Sequence, residues 1–295
     1  MIDGKIPQFG AVTAWAVALL AAVSISSDTA HAAGVEHDPG VRKHAVAAPN
    51  LRLGVEYEYF HLDPTETTSG GTTLRIPNLD GHAGRAELVG TFPILGPIGG
   101  RVSGRARYGH TQRSLDSLDR GNNEVTSYGA GAELFLRDPD LGSFSAGGGF
   151  DRFDGEGSIE ADQWSGTASA SIFFPDLGAG PIDWVVRFEF DHRQVSGVPG
   201  PVDFDSDRYT VTGSAGWYLT DNFQFILGGR WERAEEEFAN EDNRLGIGKM
   251  RWRVPGLVPA EISFGGFAGL SDYKQTPFRS DNRLLYGVNG GVLLR

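Results

Sequence analysis

From Leu51 to the C-terminus the chain alternates apolar and polar residues with a period of two. That period marks strands whose two faces meet different surroundings, and it leaves little room for helices. Leu51, Leu53, Val55, Tyr57 and Tyr59 interleave with Arg52, Gly54, Glu56, Glu58 and Phe60. Trp184, Val186, Phe188 and Phe190 stand in the same way against Asp183, Arg187, Glu189 and Asp191. Comparable segments lie at about 82–92, 100–113, 125–137, 143–152, 161–174, 182–195, 207–218, 222–233, 243–254, 260–270 and 282–295, which brings the expected strands to twelve. The segment from 243 is the least regular, since Leu245 and Ile247 share a face with Lys249, Arg251 and Arg253.

The connections alternate in length. Those at 93–99, 138–142, 175–181, 219–221 and 255–259 are short and rich in Pro, Gly, Asp and Asn. Those at 62–81, 114–124, 153–160, 196–206, 234–242 and 271–281 are longer and mostly acidic. A soluble sandwich has no reason for such regularity, whereas a barrel crossing a membrane has short turns on one side and long loops on the other. In these features residues 51–295 resemble the bacterial outer-membrane β-barrels, on pattern rather than on a quotable motif. The resemblance implies an all-β fold, a transmembrane antiparallel up-and-down β-barrel of about twelve strands. It also implies residence in the outer membrane, contact with lipid and lipopolysaccharide, and insertion by the barrel-assembly machinery. Tyr59, Phe92, Tyr108, Phe150, Trp164, Phe174, Trp184, Trp217, Phe223 and Trp231 fall near strand ends, as two interfacial girdles require. Members of the class usually finish on an aromatic residue, whereas this chain ends Val292-Leu293-Leu294-Arg295.

Residues 1–32 read as a cleaved signal peptide: Lys5, then an apolar stretch from Ala11 to Ile25, then the small-x-small Ala30-His31-Ala32. Residues 33–50 lack periodicity and read as a flexible lead-in. No run of 18 apolar residues exists, so a spanning helix is not expected. The absence of cysteine excludes disulfides and cysteine-ligated zinc. A pI near 5.0 without a long basic run argues against nucleic acid. The 42 glycines are about twice the usual share, and they suit turns and barrel walls.

The net charge of −12 is divided unevenly. By parity the interior receives sixteen bases: Arg52, Arg85, Arg101, Arg105, Arg107, Arg113, Arg137, Arg187, Arg193, Arg208, Arg230, Lys249, Arg251, Arg253, Arg283 and Arg295. Ten acids share it: Glu56, Glu58, Glu87, Glu133, Asp151, Asp183, Glu189, Asp191, Glu232 and Glu261. The acidic excess is left to the loops, as in Glu235, Glu236, Glu237, Glu241 and Asp242. Arg101, Arg105 and Arg107 form a ladder on one face, with Arg187, Arg251 and Arg253 as companions. Fixed guanidinium groups in a narrow pore favour small anionic solutes, whereas pairing with Glu87 and Glu133 would only fill the interior. The expected function is a passive porin-like channel, not an enzyme, with no cofactor or metal.

Two other readings compete. His61, His82, His110 and His192 fall outward at the long-loop ends of their strands. They suit a lipopolysaccharide rim, or a lipid-modifying hydrolase with Ser114 as nucleophile, although no acid is evidently placed to orient a catalytic histidine. A structural or adhesive barrel would use the acidic loops. Asp203, Asp205 and Asp207 have the spacing of a calcium loop but lack its glycine and distal glutamate, and Gly147-Gly148-Gly149 sits inside a strand pattern rather than a phosphate loop.

Overall fold

The computed structural model describes residues 49–294, apart from 70–71, 77, 116–117, 139–140, 156–159, 175–180, 197–203, 237–238, 256–259, 276–277 and 280–282. The expected signal peptide, most of the lead-in, and Asp203 lie outside the described residues. The strands are β1 (Asn50–Leu62), β2 (Thr65–Ser69), β3 (Thr72–Ile76), β4 (Asn78–Leu95), β5 (Ile98–Leu115), β6 (Leu118–Asp138), β7 (Gly142–Gly155) and β8 (Glu160–Phe174). They continue with β9 (Ile182–Ser196), β10 (Phe204–Thr220), β11 (Phe223–Glu236), β12 (Ala239–Val254), β13 (Ala260–Gln275), β14 (Phe278–Arg279) and β15 (Arg283–Leu294).

Twelve of these, β1, β4 to β13 and β15, close a single antiparallel barrel in which each strand pairs with its neighbours in sequence. The ring shuts where β1 pairs with β15, with Tyr57 opposite Gly290, while its other edge meets β4 with Tyr57 opposite Gly84. Closure leaves no edge in the ring, the condition for strands to cross a bilayer. Strands about 4.8 Å apart and tilted by about 40° give a backbone diameter of roughly 25 Å.

The two faces separate as the alternation requires. Leu51, Val55, Trp184, Val186 and Trp252 are all more than half exposed on the outside, whereas Arg52, Asp183 and Glu189 are buried on the inside. In a water-soluble protein that would be inverted. The outward aromatics form two rings. Tyr59, Tyr108, Phe150, Trp164 and Trp231 lie toward the long loops, and Phe92, Phe174, Trp184, Trp217 and Phe223 toward the short turns. Eight residue steps, such as Leu51 to Tyr59, rise roughly 21 Å at that tilt, near the height of an outer-membrane apolar belt.

The strands extend further past the outer aromatic ring than the alternation indicates. β5 and β6 nearly meet, β12 begins at Ala239, and the hairpin β2–β3 occupies the expected loop at 62–81. Asp205 and Asp207 likewise lie on β10 rather than in a calcium-type loop. Beyond the belt both faces meet water, so the apolar signal disappears while backbone pairing continues.

Candidate functional site

The interior is built by parity. Arg101, Arg105 and Arg107 project inward from β5, Arg187 from β9, and Arg251 and Arg253 from β12. Several are matched by carboxylates. Arg101 reaches Glu133 at 2.5 Å, Arg105 holds Asp151 with two nitrogens, and Arg251 meets Glu261 at 2.6 Å. Arg187 lies 3.4 Å from Glu189 on its own strand. Of the acids expected to pair with the ladder, Glu133 meets Arg101, and Glu87 stands opposite Arg105 across β4 and β5 while also lying 3.5 Å from Arg85. The side chains of Arg113 and Ser114, and all of Arg295, lie outside the described residues.

One expectation about charge is corrected. Glu236 and Glu241, assigned to a loop by sequence, stand on β11 and β12 and face inward beside Arg208, Arg193 and Arg283. Their addition cuts the excess of bases over acids on the inner wall from six to four. Glu236 lies well beyond Trp231 and so clear of the apolar belt. Burial, reinforced by Glu241, pushes its carboxyl up to about 8.

The lumen is largely filled by side chains. Arg193, its guanidinium 4.6 Å from the centre of the Phe153 ring, donates from Nε to Gln163 at 3.0 Å. Among the described residues, cavities lie toward the short-turn half, and two of them have room for a few waters each. One, of about 90 Å³, is bounded by Arg52, Glu56, Arg85, Lys249, Arg251 and Glu261. The other, of about 70 Å³, lies among Arg101, Arg105, Arg187, Glu133, Glu189 and Thr167. Glu87 and Val89 border both.

Above the first cavity, toward the outer mouth, the same wall turns apolar. Phe60 and Leu62 of β1, Leu79 of β4, Leu245 of β12, Phe267 of β13 and Leu285 of β15 form a buried cluster inside the barrel, with Ile247 against it. The alternation put Phe60, Leu245 and Ile247 on the inward face, whereas Leu62 and Leu79 fell in the expected connection at 62–81, and sequence alone did not show that the cluster forms. Register explains it. Phe60 pairs with Gly81 and Phe267 with Gly287, so each ring lies in the notch left by a missing side chain. A Cβ on Gly81 would fall 2.1 Å from two ring carbons of Phe60, and one on Gly287 would fall 2.5 Å from Cζ of Phe267.

On the outside, the four histidines face outward as expected, and three of them gather. His82 stands opposite His110 across β4 and β5, and opposite Tyr59 across β1 and β4. The expectation that no acid orients a histidine is overturned. His61 Nδ1 lies 2.7 Å from Asp80 and its Nε2 lies 3.2 Å from Asp63. The Tyr59 hydroxyl donates to the same Asp80 oxygen at 2.8 Å. Asp80 is separated from His61 by 19 positions in sequence, and only the β1–β4 register, His61 opposite Asp80, reveals the pair. His192 stands apart, with Nδ1 2.8 Å from Asp207. Among the described residues no group of His, Asp and Glu is arranged to hold a metal ion.

The chain has the fold of the bacterial outer-membrane β-barrels. It is similar to the translocator domain of the autotransporter NalP from Neisseria meningitidis, at 11% identity and a TM-score of 0.52, covering 97% of this chain and 98% of that one. It is also similar to an outer-membrane channel from Pseudomonas putida F1, at 10% identity and a TM-score of 0.53, covering 82% and 95%. No protein-family model and no curated protein matches it by sequence.

Proposed function

We propose that this protein is an outer-membrane channel for passive diffusion of small polar solutes, with a modest preference for anions. The observation that supports this most is a polar, charge-lined interior enclosed by a lipid-facing exterior, with two water-sized cavities among Arg101, Arg105, Arg187, Lys249 and Arg251. Ion pairs along the wall weaken selectivity without removing the polar path, because a basic side chain exchanges its carboxylate partner for a passing anion. The preference is modest because twelve carboxylates offset most of the sixteen inward bases. Arg107 and Arg253 complete the proposed set. The experiment is planar-bilayer recording of the purified protein under a salt gradient. A reversal potential on the anion side supports the reading. A protein that never conducts, or that strongly prefers cations, refutes it.

A second reading is favoured by one observation, the contact of His61 with Asp80 on the lipid-facing rim. That rim stands at the level of lipopolysaccharide headgroups and would serve either to bind them or to modify lipid. Loss of lipid turnover in a His61→Ala variant that still migrates as a folded barrel would establish the hydrolase. Absence of turnover in the parent protein dismisses it.

A further inference from the structure

The wall formed by β4, β1, β15, β13 and β12 is amphipathic along its height. Its outer part is the apolar cluster, in which Leu285 is 0% and Phe60 1% exposed. Its inner part is the charged cavity with Arg52, Lys249 and Arg251. The change occurs within one strand: Leu245 and Ile247 belong to the cluster, and Lys249 and Arg251, next on the same inward face, belong to the cavity. Ile247 and Lys249 are about 7 Å apart along the strand. That is roughly the reach from an aromatic ring to an anionic group attached close to it.

Resting on the channel reading above, we infer that the pathway is selective for small organic anions with an apolar body over equally charged anions without one. A hydrated inorganic anion that meets the cluster finds no donors to replace its water, which is the basis of an apolar constriction. An aryl or branched aliphatic body replaces water with apolar contact as it displaces the cluster side chains, and this is favourable. Its anionic group then arrives at Lys249. That ammonium lies 3.7 Å from Glu56 across two intervening strands, a longer contact than the 2.6 Å of Arg251 to Glu261 or the 3.5 Å of Arg85 to Glu87, and so easier to exchange than either. Ring carbons of Phe60 and Phe267 lie against Gly81 and Gly287, in the notches those glycines leave.

Bi-ionic reversal potentials in planar bilayers test this with two permanently charged probes of one head group, benzenesulfonate and methanesulfonate. The expected result is severalfold greater permeability for benzenesulfonate despite its larger size. Leu245→Asn, or the milder Ile247→Thr if the first fails to migrate as a folded barrel, brings the ratio below one. Lys249→Met lowers the permeability of both anions and leaves their ratio above one. Methanesulfonate passing more readily through the parent protein overturns the inference while leaving the channel reading intact. A ratio unchanged by both apolar-cluster variants also overturns it. A protein that passes neither anion overturns the channel reading and this inference together.

Discussion

Gly81 and Phe60 provide a direct test of the register that places an apolar cluster inside the barrel. An alanine methyl at Gly81 would sit 2.1 Å from two carbons of the Phe60 ring, against ordinary contacts of 3.4–4 Å, so the ring must retreat by more than 1 Å. Phe60 is 1% exposed, within a buried cluster of Leu62, Leu79, Leu245, Phe267 and Leu285. Such overpacking costs about 1–3 kcal/mol, partly offset by about 0.5–1 kcal/mol gained when alanine replaces glycine in a strand. Gly81→Ala alone should therefore destabilise the barrel by about 1–2 kcal/mol. In a Phe60→Ala background, itself costing about 3–5 kcal/mol, the clash is gone and Gly81→Ala should stabilise by about 0.5–1 kcal/mol. The coupling is then roughly 2 kcal/mol, measurable by urea titration of folding into phosphocholine vesicles followed by tryptophan fluorescence. The Gly287–Phe267 pair serves as a contrast. There the added methyl also meets the Tyr59 carbonyl oxygen at 2.3 Å, so Phe267→Ala should fail to rescue Gly287→Ala. Coupling below about 0.5 kcal/mol at Gly81–Phe60 would refute the ring-in-notch arrangement.

Other outcomes follow from the same geometry. Trp164, Trp184, Trp217, Trp231 and Trp252 all face outward, so brominated acyl chains should quench most of the fluorescence of the membrane-inserted barrel, whereas aqueous acrylamide should quench little. The reverse pattern would indicate a water-soluble barrel. Asp151→Asn removes the carboxylate that Arg105 holds with two nitrogens and should cost about 3 kcal/mol in vesicle unfolding, while Arg105→Met with Asp151→Leu should recover most of that loss. Equal instability of the single and double variants would contradict this. Glu236 is pushed up to about 8 by burial, so between its unfolded value of 4.5 and that pH the folded chain binds more protons than the unfolded one. Stability should therefore fall as pH rises through that window, and Glu236→Gln should flatten the decline. A profile identical to that of the parent would exclude Glu236 as its source.

The barrel was legible because half of every crossing strand must satisfy lipid, and lipid accepts only apolar groups. Trp184, Val186 and Phe188 could not alternate with Asp183, Arg187 and Glu189 in water without exposing a costly surface. Where that constraint ends, legibility ends with it. Asp80, Glu236 and Glu241 stand on strand segments beyond the apolar belt, where a paired strand and a polar loop are written in the same residues. Hence the long connections read too long and two inward acids were assigned to the wrong place.

The pairing of strands carries the remainder, and it explains why charges were easier to place than their consequences. Period two assigns each side chain to a face but not to a height relative to its neighbours. Only register brings Arg105 to Asp151 on the second strand over, His61 to Asp80, and Phe60 into the notch at Gly81. With heights fixed, the arginine ladder ceases to be a row of free cations, because two of its members already hold carboxylates. Selectivity then depends less on the number of arginines than on which contacts are loose enough to exchange. That shifts weight from Arg101 and Arg105 toward Lys249, whose contact with Glu56 bridges two intervening strands at 3.7 Å beneath an apolar wall.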